Sequence, residues 1–145
     1  MFKCKYWIIQ ELVSPIVFGK FGEKAWQFFD KAFLQDLDTI RETWGSPLTA
    51  NDWHRGGVFK ESGLRSNMDS LVRDKDTLYC GAHCYAKGVD LRDKQGRNAQ
   101  LHAHVCNLIN HGRLKVIRRV ENLKSAPTWT HVDAFQTVND MLVVF

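Results

Sequence analysis

The sequence has 145 residues, of which 44% are hydrophobic, 25% charged and 12% aromatic, a composition typical of a soluble globular protein large enough to bury a core. Its formal net charge of +4 comes from scattered basic residues with no interleaved aromatic residues, so it does not favour a nucleic-acid partner. No apolar run is long enough to span a membrane, and the patch from Tyr6 to Ile9 is too short for a secretory signal. We therefore expect one domain over residues 1–145, synthesised in the cytoplasm without a signal peptide and binding neither nucleic acid nor membrane.

The first long element is predicted to be a helix from Glu23 to Trp44. Its apolar residues recur at three- and four-residue steps, which is the period of an amphipathic helix. Asp30 is predicted to cap its main segment, and Gly45-Ser46-Pro47 is predicted to end it. The charged residues Asp36 and Asp38 are expected to lie on its solvent side.

The remainder of the chain is predicted to contain short strands and one more helix. That helix extends from Asn98 to Asn110 and is closed by His111-Gly112. The last two long β-rich runs are predicted to form an antiparallel pair, which gives an α+β class with a small antiparallel sheet and flanking helices. Strands are predicted at Leu48 to Trp53, Leu78 to Cys80, Gly88 to Leu91, Lys115 to Glu121, Thr128 to Ala134 and, as an edge, Met141 to Phe145, with a helical turn around Asn67 to Val72.

Two histidines and a carboxylate in the second half of the chain have the chemistry of a zinc site. His83 and Asp90 are seven positions apart, or roughly 10 Å on a continuous helix. Ligands of one zinc each lie about 2 Å from it, so the chain between them must bend, and Gly88 favours a bend. His131 lies on a predicted strand and shares one face with Asp133. Two histidines and one carboxylate leave a fourth position for water, which is the arrangement of hydrolytic zinc.

These residues resemble a known family, the zinc D-Ala-D-Ala carboxypeptidases and L-alanyl-D-glutamate endopeptidases, which share their fold with the amino-terminal domain of hedgehog proteins. The resemblance is carried by Ser62-Gly63-Leu64-Arg65, by His83 with Asp90 seven positions later, and by Trp129-Thr130-His131. It implies that His83, Asp90 and His131 bind zinc and that the guanidinium fork of Arg65 holds a substrate carboxylate.

The resemblance also implies a function. It indicates hydrolysis of peptidoglycan stem peptides by an endolysin-like protein from a bacteriophage or prophage. Such a protein acts at the cell wall after release through a separate pore, or as part of the virion. Which of the two peptide bonds is cut, and the oligomeric state, stay open.

The general base is the part of the site that the sequence determines least. Many family members place an acidic residue three positions before the final histidine, where this chain has Thr128, which cannot exchange a proton near neutral pH. Glu121, on the preceding predicted strand, and Asp133, beside His131, are the predicted substitutes. His54 is a third candidate that the sequence does not place.

Two other interpretations remain open. Without an acidic residue at position 128, the protein could be a catalytically inactive metal-binding module of the same fold that binds cell wall or belongs to a virion. A structural zinc site built from Cys80, His83, Cys84 and Cys106 is disfavoured by the cysteine spacing, and the four cysteines are instead expected to be buried reduced thiols. Of the neighbouring residues Arg118 and Arg119, one is expected to support the site and the other to face water.

Overall fold

The computed structural model describes all 145 residues, as a small five-stranded sheet flanked by helices. This mixed helix and strand composition is the one predicted from the sequence. No helix combines the length and the apolar character needed to cross a membrane. The helices are α1 (Ile9–Leu12), α2 (Pro15–Phe21), α3 (Lys31–Trp44), α4 (Ser70–Arg73) and α5 (Asn98–Asn110), and the strands are β1 (Leu48–Thr49), β2 (Gly88–Asp93), β3 (Arg119–Val120), β4 (Thr130–Asp133) and β5 (Val143–Val144). Three 3-10 turns cover Gly22–Phe28, Trp53–Arg55 and Ala82–Tyr85.

The sheet has the strand order β1-β2-β4-β3-β5. Neighbouring strands are antiparallel except at the edge, where β5 runs parallel to β3. The predicted antiparallel pairing of the last two long runs is confirmed, whereas the prediction of a wholly antiparallel sheet is wrong at β5. In the centre, Asp90 of β2 lies directly opposite His131 of β4, and Arg119 of β3 lies opposite Asp133.

Helix α3 is the main buried helix, and it begins later than the sequence pattern predicts. Asp30 accepts hydrogen bonds from the backbone N–H groups of Ala32 and Phe33 at 2.7 and 3.3 Å, which confirms it as the N-cap. The preceding residues form a separate 3-10 turn, so the predicted helix from Glu23 is divided in two. Gly45 ends α3 in a left-handed conformation, with φ of 71°, as expected for a helix C-terminus. The apolar face of α3 joins a cluster of 26 buried hydrophobic residues.

Asp36 of α3 is an internal anchor, and the prediction that it faces solvent is wrong. Its side chain is buried, with the residue only 1% exposed. Its carboxylate accepts hydrogen bonds from the backbone N–H groups of Lys115, Val116 and Ile117 at 2.7, 2.8 and 2.9 Å. Because these amides are bound by a side chain, residues 115–117 do not pair as a strand, and the predicted strand there is reduced to Arg119–Val120.

Two further predictions are corrected around the 3-10 turn Ala82–Tyr85. Leu78 to Cys80 do not form a strand, because the ladder of β2 begins only at Gly88 and no neighbouring strand lies beside them. All four cysteines are free, but Cys80 is exposed and the other three are half-buried. The prediction that the thiols are unpaired is therefore confirmed, and the prediction that they are buried is not.

Candidate metal centre

Three separate elements bring His83, Asp90 and His131 together. His83 lies on the 3-10 turn Ala82–Tyr85, Asp90 on β2 and His131 on β4. The bend predicted between His83 and Asp90 is present, and its left-handed residue is Ala86, with φ of 55°. Gly88 has a different role, because a Cβ atom there would lie 2.9 Å from Cβ of Ala82 and 3.2 Å from Cε1 of His131. The missing side chain at position 88 therefore leaves room both for the turn that carries His83 and for the imidazole of His131.

The three side chains form a tight triangle of potential ligand atoms. Nε2 of His83 lies 3.3 Å from Oδ1 of Asp90 and 3.2 Å from Nδ1 of His131, and the last two atoms are 2.8 Å apart. All three residues are buried. Atoms that each lie 2.0–2.2 Å from one tetrahedral zinc would be about 3.4 Å from one another, which is close to the observed spacing. This buried group could hold a metal ion.

The outer nitrogens of both imidazoles are bound by groups that can only accept hydrogen bonds. Nδ1 of His83 lies 2.8 Å from the carbonyl oxygen of Gly63, and Nε2 of His131 lies 3.2 Å from Oδ2 of Asp133. Each outer nitrogen must therefore carry a proton and donate it. The inner nitrogens, Nε2 of His83 and Nδ1 of His131, are then the ones that can offer a lone pair to a metal.

Gly63 is required by a close approach between two backbone segments. A Cβ atom at position 63 would lie 2.0 Å from the carbonyl oxygen of Leu12, at the end of α1. The next residue, Leu64, donates its N–H to that same oxygen at 2.8 Å, and the oxygen of Ser62 accepts from N–H of Asp90. The segment 62–64 is thus held between α1 and β2, which positions the Gly63 carbonyl that orients His83. Sequence reasoning did not identify this role.

The charges of the cluster are strongly perturbed by their proximity. Burial opposes ionisation of Asp90, but hydrogen bonds from His131 and His83 outweigh it and hold the pKa of Asp90 well below its usual range. Burial likewise opposes the charged form of His131, but hydrogen bonds to Asp133 and Asp90 outweigh it and raise the pKa of His131 to about 9. Without metal, a carboxylate and an imidazolium therefore face each other at neutral pH, and a metal ion would replace the proton between them.

Arg65 lies at the cluster, as predicted, and its side chain is only 10% exposed. Its Nη2 is 3.2 Å from Oδ2 of Asp90, and its Nε donates to the carbonyl oxygen of Glu61. Its backbone N–H donates to the carbonyl oxygen of His83 at 3.1 Å. The other terminal nitrogen, Nη1, makes no hydrogen bond within the protein. Arg65 therefore binds the outer oxygen of Asp90 and keeps one donor group free.

A cavity of about 460 Å³ opens onto the cluster. Arg65, Glu121 and Trp129 line it together with the three potential ligands. The carboxylate of Glu121 makes no hydrogen bond or ion pair, although its backbone N–H donates to the carbonyl oxygen of His131 at 3.1 Å. Glu121 is therefore a free acidic group within the cavity. Thr128 is exposed and does not line this cavity.

Asp133 and His54 occupy different positions from Glu121. Asp133 is buried, and its carboxylate binds the side of His131 that faces away from the other ligands. This position suits Asp133 for orienting His131, and its prediction as a catalytic residue stays untested. His54 packs against Trp53, with ring centroids 5.8 Å apart, and does not line the cavity.

Arg118 lies just before β3, and Arg119 is the first residue of that strand; their side chains have different surroundings. The guanidinium of Arg118 donates to backbone carbonyls, including those of Leu114 and Ile117 at 2.9 Å each. Arg119 lines the cavity beside the cluster. One arginine therefore lies at the site, as predicted. The other is bound by backbone carbonyls and by an ion pair with Asp140 at 3.0 Å, and does not simply face water. Strand alternation in the sequence could separate the two residues but could not indicate which one faces the cluster.

The cluster of potential ligands contains no cysteine. Comparisons of the chain with protein-family models, with curated proteins and with solved structures found no match. The geometry of this site and the pattern of its residues therefore indicate what the protein can do.

Proposed function

We propose that the protein is a zinc-dependent peptidase that hydrolyses peptidoglycan stem peptides, of the D-Ala-D-Ala carboxypeptidase or L-Ala-D-Glu endopeptidase type, with the hedgehog/DD-peptidase fold. The observation that carries the proposal is the triangle of His83, Asp90 and His131, with ligand atoms 2.8 to 3.3 Å apart, at a cavity that also contains Arg65 and a free Glu121. In this proposal the protein derives from a phage or prophage and acts at the cell wall after release or within a virion.

The donor set supports zinc as the metal. Two imidazole nitrogens and one carboxylate oxygen are typical ligands of catalytic zinc, and three protein ligands leave one coordination position open. When bound in such a site, zinc lowers the pKa of water and polarises the scissile carbonyl. The protein holds the donors ready, because Gly63 and Asp133 fix the orientation of the two imidazoles.

The proposed base is Glu121. A general base must lie in the cavity and have a lone pair that no other group occupies. Glu121 meets both conditions, because it lines the cavity and its carboxylate has no partner in the protein. In this role it accepts a proton from the attacking water and passes it to the departing amine.

The proposed substrate-binding residue is Arg65. Nη2 of its guanidinium donates a hydrogen bond to Asp90, and Nη1 remains free to donate to a carboxylate of the peptide. A guanidinium binds carboxylates with a defined geometry that an ammonium group does not reproduce. Arg65 thereby couples recognition of the peptide to the orientation of a metal ligand.

The test is hydrolysis of purified peptidoglycan and synthetic stem peptides by zinc-loaded protein, followed by mass spectrometry. Glu121→Gln is expected to retain stoichiometric zinc but to lower hydrolysis by about two orders of magnitude. Glu42→Gln, which changes an α3 residue outside the cavity, is the matched control and should cleave at the wild-type rate. His83→Ala should lose zinc and activity together. Unimpaired cleavage by Glu121→Gln would exclude Glu121 as the base.

A second candidate function is a metal-binding module without catalysis, which binds cell wall or serves in a virion. It is favoured by one observation, the exposed threonine at position 128 outside the cavity. This candidate predicts that zinc-loaded protein sediments with peptidoglycan and releases no peptide fragment. Fragment release dependent on Glu121 would exclude it.

A further inference from the structure

Arg119 is a cavity residue that the proposed mechanism does not use. Its guanidinium carbon lies 4.3 Å from the ring centroid of Phe145 and 5.6 Å from that of Phe135. Two aromatic rings therefore hold the cation in place. Its side chain is 28% exposed, so the group reaches the cavity while most of its stem is covered.

The guanidinium of Arg119 has no hydrogen-bond partner in the protein. Its Nε forms an ion pair with Oδ1 of Asp133 at 3.4 Å, but this buried nitrogen has no hydrogen-bond partner. Neither terminal nitrogen of Arg119 makes a hydrogen bond to a protein group, and Glu121 forms no ion pair with Arg119. An arginine normally engages several of its five donors when it is partly covered. A fixed, unsatisfied guanidinium at a cavity is suited to bind an anion from outside the protein.

Three cationic side chains line the cavity, against one carboxylate, that of Glu121, which no histidine binds. Besides Arg65 and Arg119 it contains Lys75, whose ammonium lies over the ring of Tyr79. Two of its acidic residues, Asp90 and Asp133, are occupied by the histidines. A ligand would therefore meet more cationic groups than free carboxylates, of which Glu121 is the one in this cavity.

We propose that Arg119 is a second carboxylate-binding residue of this site, and that the ligand is a peptide with two carboxylates, one bound by Arg65 and one by Arg119. This inference rests on the proposed function, because it names the substrate class of the same cavity. It assigns the free guanidinium of Arg119 to recognition of the peptide.

The position of Arg119 in the sheet sets the spacing of the two carboxylates. Arg65 contacts Asp90 on β2, whereas Arg119 lies on β3, and β4 separates these strands. Two strand spacings amount to about 10 Å, which an extended peptide covers in about three residues. The two carboxylates are therefore expected on residues a few positions apart.

The experiment uses a stem-peptide analogue in which ketomethylene groups replace both candidate scissile amides, so that binding to zinc-loaded protein is measured without turnover. The analogue is prepared with both carboxylates free, and with each one separately converted to a carboxamide. Calorimetry should give wild-type binding that is about tenfold or more tighter for the dicarboxylate than for either monoamide, as expected for lost charge-assisted hydrogen bonds. Arg119→Gln should abolish the preference for one carboxylate and keep the preference for the other.

Control variants separate recognition from charge and folding. Arg113→Gln removes the same charge from an exposed residue outside the cavity and should keep both preferences. Arg119→Lys keeps the charge but loses the forked guanidinium, and it should reduce the preference for the carboxylate that Arg119 binds. If Arg119→Gln does not fold, Arg119→Lys replaces it in the comparison with wild type. Zinc content and thermal unfolding are measured for every variant.

The outcomes distinguish this inference from the proposed function. If Arg119→Gln keeps both preferences, or if wild type binds a monoamide as tightly as the dicarboxylate, the assignment of Arg119 is overturned even when the parent peptide is cleaved. If the preference depends on Arg119 but the parent peptide is never cleaved, the assignment stands and the hydrolytic function fails. If none of the analogues binds, the assignment of Arg119 is overturned, and cleavage of the parent peptide separately decides the hydrolytic function.

Discussion

Replacement of Asp133 by asparagine is expected to move the proton of His131 from one ring nitrogen to the other. Oδ1 of Asp133 faces the backbone N–H of Phe135 at 3.0 Å and Nε of Arg119 at 3.4 Å, whereas Oδ2 faces only Nε2 of His131 at 3.2 Å. An asparagine would keep its oxygen toward the N–H of Phe135 and the cation of Arg119, and would turn its NH₂ group toward His131. Nε2 would then have to accept a hydrogen bond, and the proton would go to Nδ1.

That tautomer cannot bind a metal through Nδ1, although the shape of the site is nearly unchanged. Loss of the group that orients a metal-binding histidine typically lowers metal affinity by about 10- to 100-fold, or about 1.4 to 2.7 kcal/mol. We expect a loss of zinc affinity in this range for Asp133→Asn. Folding should be retained, because the hydrogen bond to Phe135 persists.

Competition with a chromophoric chelator at pH 7.5 would measure the zinc dissociation constant. The control is Asp93→Asn, which alters another buried, hydrogen-bonded carboxylate, one that binds Arg97 and Trp44. It should lower thermal stability without changing zinc affinity. A wild-type dissociation constant for Asp133→Asn, or an equal loss of zinc affinity for Asp93→Asn, would refute the tautomer argument.

Two further predictions concern protons and packing. The pKa of His131 without metal is raised to about 9 from an ordinary value near 6.5. Zinc binding between these pH values should therefore release about one proton, and the release should fall toward zero above pH 9. Calorimetry in buffers of different ionisation enthalpy measures this release. The same pKa shift stabilises the metal-free protein fully below pH 6.5, and this stabilisation is lost as the pH rises through 9. The melting temperature of the metal-free protein should therefore drop over that window, whereas that of the zinc-loaded protein should not. Proton release that does not depend on pH would contradict the pKa assigned to His131. Gly63→Ala should cost about 1–3 kcal/mol or more in the free energy of unfolding and weaken zinc binding, because a Cβ atom there would lie 2.0 Å from the carbonyl oxygen of Leu12. In contrast, Gly19→Ala within α2, where no atom lies within 4 Å of the new Cβ, should stabilise the helix, and equal unfolding curves for the two variants would exclude the packing argument.

The potential metal ligands could be predicted because their order and spacing resemble a known family pattern, and local features of the sequence support that pattern. His131 and Asp133 alternate on a strand, and the bend between His83 and Asp90 follows from the need to share one ion. The bounds of α5 could also be predicted, because its apolar period and its closing His111-Gly112 lie within one continuous segment. These features need no knowledge of distant contacts.

Other features depend on contacts that no local pattern contains. The amides of residues 115–117 are bound by Asp36, which lies 79 to 81 residues earlier. For this reason the residues predicted there as a strand have irregular backbone. The side of β3 that faces the cluster is set by its pairing with β4, and alternation alone could not choose Arg119 over Arg118. The short helices α1 and α2 were not predicted, although the end of α1 determines why position 63 must be glycine.

The hydrogen bonds between Asp36 and residues 115–117 join two distant parts of the chain. Asp36 lies on α3, and the amides that it binds lie after α5, shortly before β3. β3 pairs with β4, and β4 pairs with β2 so that His131 lies opposite Asp90. The carboxylate of Asp36 thus fixes the point at which the chain enters the sheet, and strand pairing then places the third potential ligand beside the other two.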